Sequence, residues 1–288
     1  ALAILGGEVE GVELACLFSL LGYEVTLLEK EEEILPGNDA DLVLPIRKAL
    51  ENQKVKIVTG VEVTQLQEAD QGIQLHLSTG EKFYAPQVLL ALGRKTNVPQ
   101  GFEMLGIEIK DGFICVDEQF QTNLSHIYAI GDINGVHGMA HVALDQGRRT
   151  AKKILGERLT KPDYAFVPRA VFTLPELAGV GYQEMDCVKE GIPYKTGVAQ
   201  LTHSYRGWSL QVEDSFVKVI VGEENQVLGM WFVGDMVSEM MGFAHYFISR
   251  KIRAEELIAT LTIVPSLSQT AVKALEEAVA LWEEERRL

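Results

Sequence analysis

The apolar positions change their period twice within the first thirty residues. Ala1 to Leu5 is a continuous apolar run, broken by Gly6-Gly7-Glu8-Val9-Glu10-Gly11. Leu14, Leu17, Phe18 and Leu21 then recur at helical spacing as far as Gly22, and Tyr23 to Leu28 is a second strand-like run ending at Glu29. A buried run, a glycine break, an amphipathic helix and a second run in that order predict a βαβ unit. Asn38 and Asp39 offer N-caps for a helix near Asp41 to Asn52. Strand-like runs follow at Val55 to Thr59, Val61 to Leu66, Ile73 to Leu77, Lys82 to Tyr84 and Val88 to Leu92, with Ser78-Thr79-Gly80 as a turn. This order predicts a three-stranded meander inserted between a parallel βαβ core and its last strand.

Further along, Asn123 to Ile130 predicts a strand ending at Gly131-Asp132, and Met139-Ala140-His141 opens a helix through Ala143, Leu144, Ala151 and Ile154. The last third reads as α+β. It has a strand at Arg169 to Phe172 and a helix at Gln183 to Glu190 ended by Gly191-Ile192-Pro193. An antiparallel meander follows at Tyr194 to Leu201, Phe216 to Val221 and Val227 to Val233, and then helices at Ser238 to Lys251, Ala254 to Ala259 and Ser266 to the end. The fold class is α/β.

Composition narrows the function. The chain has 288 residues, enough for two ordinary domains, and its 47% hydrophobic and 23% charged content excludes general disorder. It has no apolar run of membrane-spanning length. Its formal charge of −15 would repel a phosphate backbone, so no nucleic-acid partner is expected. The basic cluster Arg148, Arg149, Lys152 and Lys153 reads as a solvated helix end, as does the closing Leu281 to Arg287 run. Cys16, Cys115 and Cys187 lie too far apart in sequence to form a metal or redox motif; Cys16 and Cys115 read as structural thiols, and so few cysteines point to a reducing, cytoplasmic compartment. No metal site is expected. The chain opens inside a strand-like run without a signal-peptide pattern or an initiating Met, which points to a trimmed or partial chain.

The glycine break has the chemistry of a dinucleotide turn. Glycines allow a tight turn and close approach of a diphosphate, and the helix N-terminus supplies N–H donors. Glu29, 18 residues after Gly11, stands where an acid bonds ribose hydroxyls, or it is simply an exposed strand-end carboxylate. Glu8 occupies the position of the middle glycine. A carboxylate there would occupy the space of a diphosphate and repel its charge, so the turn either binds weakly or is structural only. At the second signature, Asp132 at a strand end could accept hydrogen bonds from sugar-like hydroxyls, and the helix N-terminus behind it could stabilise negative charge on a ring. A Gly-Asp pair is also a common turn.

Three blocks carry a family resemblance. Ala91-Leu92-Gly93-Arg94-Lys95-Thr96-Asn97, Thr122-Asn123-Leu124 through Gly131-Asp132, and Thr173-Leu174-Pro175-Glu176-Leu177-Ala178-Gly179-Val180-Gly181 together resemble dihydrolipoamide dehydrogenase and its flavin-dependent pyridine nucleotide–disulfide oxidoreductase relatives. The resemblance implies a Rossmann-like NAD-binding domain over 1–94, a partial FAD-domain segment over 95–163 and a dimerisation domain over 164–288. It implies FAD and NAD as cofactors, electron transfer between them in the complete protein, and a homodimer, with a heterodimer with a paralogue as the alternative. By position, Asp132 resembles the flavin ribityl ligand and Met139, Ala140 and His141 the turn beside the isoalloxazine. Gly6, Gly7 and Gly11 resemble the NAD turn, and Glu29, Val61 and Gly93 its adenosine and nicotinamide-side contacts.

The departures from that resemblance bear on catalysis. The family's N-terminal flavin section and redox cysteine pair have no counterpart in this sequence. At Val264-Pro265-Ser266-Leu267-Ser268-Gln269 the family carries His-Pro-Thr-Leu-x-Glu, so Val264 stands at the His position and Gln269 at the Glu position. Valine cannot relay a proton, and no catalytic residue is assigned. Read without the family, Ser266 to Gln269 is a capping box. A catalytically degenerate homologue acting as a structural or partner subunit is therefore the alternative function. His245 and the Met236, Met240, Met241 stripe read as packing, and His203 as surface. Trp231, Phe232, Phe243, Tyr246 and Phe247 read as an apolar face suited to a twin subunit.

Overall fold

The computed structural model describes residues 1–210 and 214–287. β1 (Leu2–Leu5), α1 (Val9–Leu20) and β2 (Val25–Leu28) form the βαβ unit, and α2 (Ala40–Asn52) leads to β3 (Lys56–Val58). β4 (Val63–Ala69), β5 (Gly72–Leu77) and β6 (Lys82–Ala85) make the antiparallel meander, and β7 (Gln87–Leu90) returns beside β1. The parallel sheet has the order β3-β2-β1-β7, with Leu2 opposite both Val25 and Gln87. Strand alternation decides what β1 buries on each side. Leu2 and Ile4 join Val12, Ala15, Cys16, Leu42 and Ile46 in one core, while Ala3 and Leu5 join Leu75, Leu77 and Ala85 of the meander in another.

Residues 93–167 form a separate compact unit. It contains a short hairpin, β8 (Ile109–Lys110) and β9 (Phe113–Ile114), and the helix α3 (Ala140–Ile154), around a small core of Ile107, Ile114 and Ala129. The strand expected over Asn123 to Ile130 is not formed. Only an isolated bridge joins Gln121 to Tyr128, and a 3₁₀ turn spans Gly131–Asn134. The backbone is captured locally instead. Thr122 Oγ1 accepts from Leu124 N–H at 3.1 Å, and Ile127 N–H donates to the Leu124 carbonyl at 2.8 Å. Such side-chain bonds compete with a ladder for the same amides.

Residues 168–288 complete the first unit together with residues 1–92. β10 (Arg169–Val171) and β11 (Glu176–Gly181) precede α4 (Glu184–Glu190) and β12 (Tyr194–Gln200). After α5 (Tyr205–Leu210) come β13 (Phe216–Gly222) and β14 (Val227–Gly234), then α6 (Met241–Ser249), α7 (Ala254–Ile258) and α8 (Ser268–Arg287). The antiparallel sheet runs β10-β11-β14-β13-β12. The predicted meander is present, and β11 and β10 extend it beyond β14. The long helix expected from Ser238 begins as a 3₁₀ turn and becomes α-helical at Met241. Val171, Leu177, Phe216, Trp231 and Val233 belong to the same core as α1 and α2, so the antiparallel sheet and the parallel sheet share one apolar interior.

Two aromatic residues of the expected partner face are inside the chain. Trp231 and Phe232 are 2% and 1% exposed. The Trp231 ring lies against Gly179, its indole N–H donates to the Tyr182 carbonyl at 3.0 Å, and the Arg169 guanidinium stands 4.9 Å from its centroid. Central-strand positions in a covered sheet bury both faces, which the sequence pattern alone could not distinguish from an outward face. Tyr246 remains exposed, as do Tyr205, Trp208, Leu261 and Ile263.

Candidate functional site

The chain steps from β1 through β2 to β3 on one side of the parallel sheet, and β7 lies on the other side of β1. Open α/β sheets bind ligands beyond the carboxyl ends of the strands at such a reversal. A cleft of about 280 Å³ lies there. Leu5 ends β1, Leu28 and Glu29 end β2, and Ala91 and Leu92 follow β7; Gly6, Glu8, Lys30, Val61, Glu62 and Val63 complete the lining.

The glycines permit this turn for steric reasons. A Cβ on Gly11 would overlap the Gly6 carbonyl and lie 2.9 Å from its carbon, and Gly6 has φ +103° with Ala91 packed against it. Gly7 makes room for Glu29, whose Cβ and Oε2 would stand 2.9 and 3.0 Å from a Cβ there. Glu29 is 3% exposed. Its Oε2 accepts the Gly7 N–H and its Oε1 accepts the Glu31 N–H at 2.8 Å. Leu35 N–H donates to the Gly7 carbonyl at 2.7 Å. The peptide at Gly7 is thus held from both sides, with the carboxylate facing the turn. Val61 is placed by its own N–H, which donates to the Glu29 carbonyl at 2.9 Å.

Glu8 is the N-cap residue of α1, but its side chain makes no cap bond and is exposed at the cleft. The lining therefore carries Glu8, Glu29 and Glu62 against the single cation Lys30. The glycine turn fits a close-approaching ligand backbone, whereas the Glu8 carboxylate does not fit a diphosphate. Lys30 and Glu62 belong to no motif of the sequence, yet both line the cleft. Lys30 and Glu62 are direct neighbours of Glu29 and Val61, and that adjacency was the available signal.

In the second unit, Asp132 lies in the 3₁₀ turn, exposed, with its Oδ2 accepting from Arg94 Nη1 at 3.2 Å. Gln146 of α3, fully buried, holds this turn. Its Oε1 accepts the Gly131 N–H at 2.7 Å and the Asn134 amide at 2.9 Å. No motif pointed to Gln146, because its role depends on a contact 15 residues away. Met139 is the N-cap residue of α3, and Ala140 and His141 begin the helix with exposed side chains. Gly93 opens this unit at φ +89°. The site residues thus fall into two groups: Gly6, Gly7, Gly11, Glu29 and Val61 in the first unit, and Gly93, Asp132, Met139, Ala140 and His141 in the second.

Elsewhere, Val264 is 62% exposed, and the Gln269 N–H donates to Ser266 Oγ at 3.3 Å, which is half of the expected capping box. Cys16 and Cys187 are buried, and burial together with Asp186 pushes the Cys187 thiol up to about 11, so it is unreactive. Among the described residues no His, Cys, Asp and Glu group is placed to hold a metal, and no helix is long and apolar enough to cross a membrane.

Comparison with known proteins places these features in a family. The pyridine nucleotide-disulphide oxidoreductase signature matches residues 1–147, and the dimerisation domain of that family matches residues 167–275. A dihydrolipoyl dehydrogenase of Staphylococcus aureus is 33% identical over 284 residues, covering 96% of this chain and 60% of the relative. One of Haloferax volcanii is 33% identical over 286 residues, with the same coverage. The crystal structure of LpdA from Mycobacterium tuberculosis superposes with a TM-score of 0.88 at 27% identity, over 96% of this chain and 61% of that one. The HOCl-induced flavoprotein disulfide reductase RclA of Escherichia coli gives 0.86 at 25% identity, over 97% and 64%. The chain spans about 60% of the length of the curated relatives it matches. By its fold, its glycine turn and these matches, the chain belongs to the pyridine nucleotide-disulphide oxidoreductase family, with dihydrolipoyl dehydrogenases among its relatives.

Proposed function

We propose that this chain supplies the dinucleotide-binding, partial flavin-binding and dimerisation parts of a dihydrolipoyl dehydrogenase-like flavoenzyme, in which electrons pass between NAD(H) and FAD. The observation that carries the reading is the switch-point cleft, with the glycine turn clamped by Glu29 and Leu35. In this reading Gly6, Gly7, Gly11, Glu29, Val61 and Gly93 serve the dinucleotide, and Asp132, Met139, Ala140 and His141 serve the flavin. A bound flavin would supply the electron-accepting ring. The residues of this chain would orient it: Asp132 by accepting from ribityl hydroxyls in place of Arg94, and the N-terminus of α3 by its free N–H groups. The compartment is cytoplasmic, and the assembly is a homodimer.

A second reading is favoured by specific residues. Glu8 opposes a diphosphate, Val264 cannot relay protons, and Gln269 cannot supply the charge that would stabilise an imidazolium. These changes fit a homologue that retains the fold and the dimer surface as a structural or partner subunit. Hydride exchange between nicotinamide and flavin needs no acid–base group at 264, so the two readings separate experimentally. In the complete protein, NADH-driven reduction of an artificial electron acceptor without dihydrolipoamide oxidation supports an enzyme with an altered acceptor. Absence of both activities supports the subunit reading, and dihydrolipoamide oxidation at roughly 1–1000 per second would overturn the roles given to Val264 and Gln269.

A further inference from the structure

Lys218 lies in the middle of β13, in the apolar run Phe216 to Val221, and only 1% of its side chain is exposed. Its ammonium meets Asp39 at 2.9 Å, Asp41 at 2.7 Å and Glu184 at 2.6 Å. Asp39 stands at the N-cap position of α2, yet its carboxylate does not cap that helix. It accepts the Glu184 and Met185 N–H groups, at 2.9 and 3.0 Å, and so caps α4 across 145 and 146 residues of sequence. Gln183, fully buried, reinforces the junction. Its Oε1 accepts the Asp39 N–H at 2.6 Å and its Nε2 donates to Asn38 Oδ1 at 3.0 Å. Asn38 in turn donates to the Leu35 carbonyl at 2.9 Å, and Leu35 N–H holds the Gly7 carbonyl.

We propose that Lys218 is a positioning residue for the glycine turn. It anchors the 35–39 segment to the antiparallel sheet, and that segment fixes the peptide at Gly7. One buried lysine, opposite Trp231 across the sheet, faces three carboxylates, of which Asp39 is buried while Asp41 and Glu184 reach solvent, so removing it leaves Asp39 in a poorly solvated site without its cation. With the cation gone the 35–39 segment loses its tie to β13, and Leu35 moves with it. A buried ionic junction of this type specifies geometry more than it adds stability, since a neutral replacement of similar volume is often as stable. The functional meaning rests on the turn being the dinucleotide site; the anchoring itself does not.

Amide hydrogen exchange on the chain, without nucleotide, tests this. In Lys218→Met, the Leu35, Gly7, Glu184 and Met185 amides are expected to exchange on the order of tenfold faster relative to Ile4 and Val219. The triple variant Lys218→Met/Asp41→Asn/Glu184→Gln removes the repulsion and recovers thermal stability, while Leu35 and Gly7 stay fast. If the single variant does not fold, the triple variant provides the reading. Unchanged protection at Leu35 and Gly7, or protection that returns together with thermal stability in the triple variant, would overturn the positioning role. Nucleotide titration is scored separately, so a chain that binds no NADH even as Glu8→Gly but shows the expected exchange overturns the dinucleotide reading and leaves the anchor standing.

Discussion

Replacing Glu8 by glycine restores the spacing that a diphosphate turn requires. Glu8 has φ −73° and makes no cap bond, so the backbone tolerates glycine and little of α1 depends on the lost side chain. What changes is the charge of the cleft, where Glu8, Glu29 and Glu62 oppose Lys30 alone. Glu29 is neutralised in part by two backbone N–H groups, whereas Glu8 has no such bond. A like charge about 5 Å away costs about 1 kcal/mol at the dielectric of water and about 3 kcal/mol at an effective value near 20. Glu8→Gly should therefore tighten NADH binding by roughly 5- to 150-fold. Calorimetry on the chain measures it, with Glu8→Gln separating charge from close approach. The charge part should shrink in high salt, because the cleft is open to screening. Micromolar NADH binding by the unmodified chain, unchanged in Glu8→Gly, would refute the reasoning.

Three further outcomes are expected. Gly11→Ala forces a Cβ into the Gly6 carbonyl and should cost about 3 kcal/mol, read as a lower urea midpoint; an unchanged midpoint would mean that α1 can slide freely on the turn. Sedimentation at micromolar concentration should report a dimer, since Tyr205, Trp208, Leu261 and Ile263 leave large apolar area exposed on one chain, and a soluble monomer would contradict it. Burial alone would raise the Asp145 carboxyl, but the Tyr164 hydroxyl at 2.7 Å and Arg149 outweigh it and hold it below its ordinary 3.8. A depressed carboxylate adds stability above that range and loses it as pH falls through the folded value, so Asp145→Asn should cost about 0.5–1 kcal/mol at pH 7 and nothing in strong acid. An equal cost at both pH values would assign the effect to packing.

The sequence by itself determined what depends on neighbours close along the chain. The βαβ order, the meander and the glycine turn follow from periods of two and 3.6 and from glycine sterics, so they were legible from Ala1 to Leu92. The positions of Glu29 and Val61 at the cleft were legible too, because both lie at the ends of recognisable runs. Tertiary structure decided where each polar group is spent. Glu29 turns to the Gly7 N–H, Gln146 reaches back to Gly131, and Asp39 leaves its own helix to cap another. It also turned Asn123 to Ile130 from a strand into a turn and buried Trp231 and Phe232. Lys218 shows the limit most clearly. A lone lysine in an apolar strand reads locally as an exposed edge charge, and only the fold brings Asp39, Asp41 and Glu184 to it across more than thirty residues of sequence in every case. Such partners lie far apart in the chain, and the energy of a buried charge depends on who they are, which no local pattern encodes.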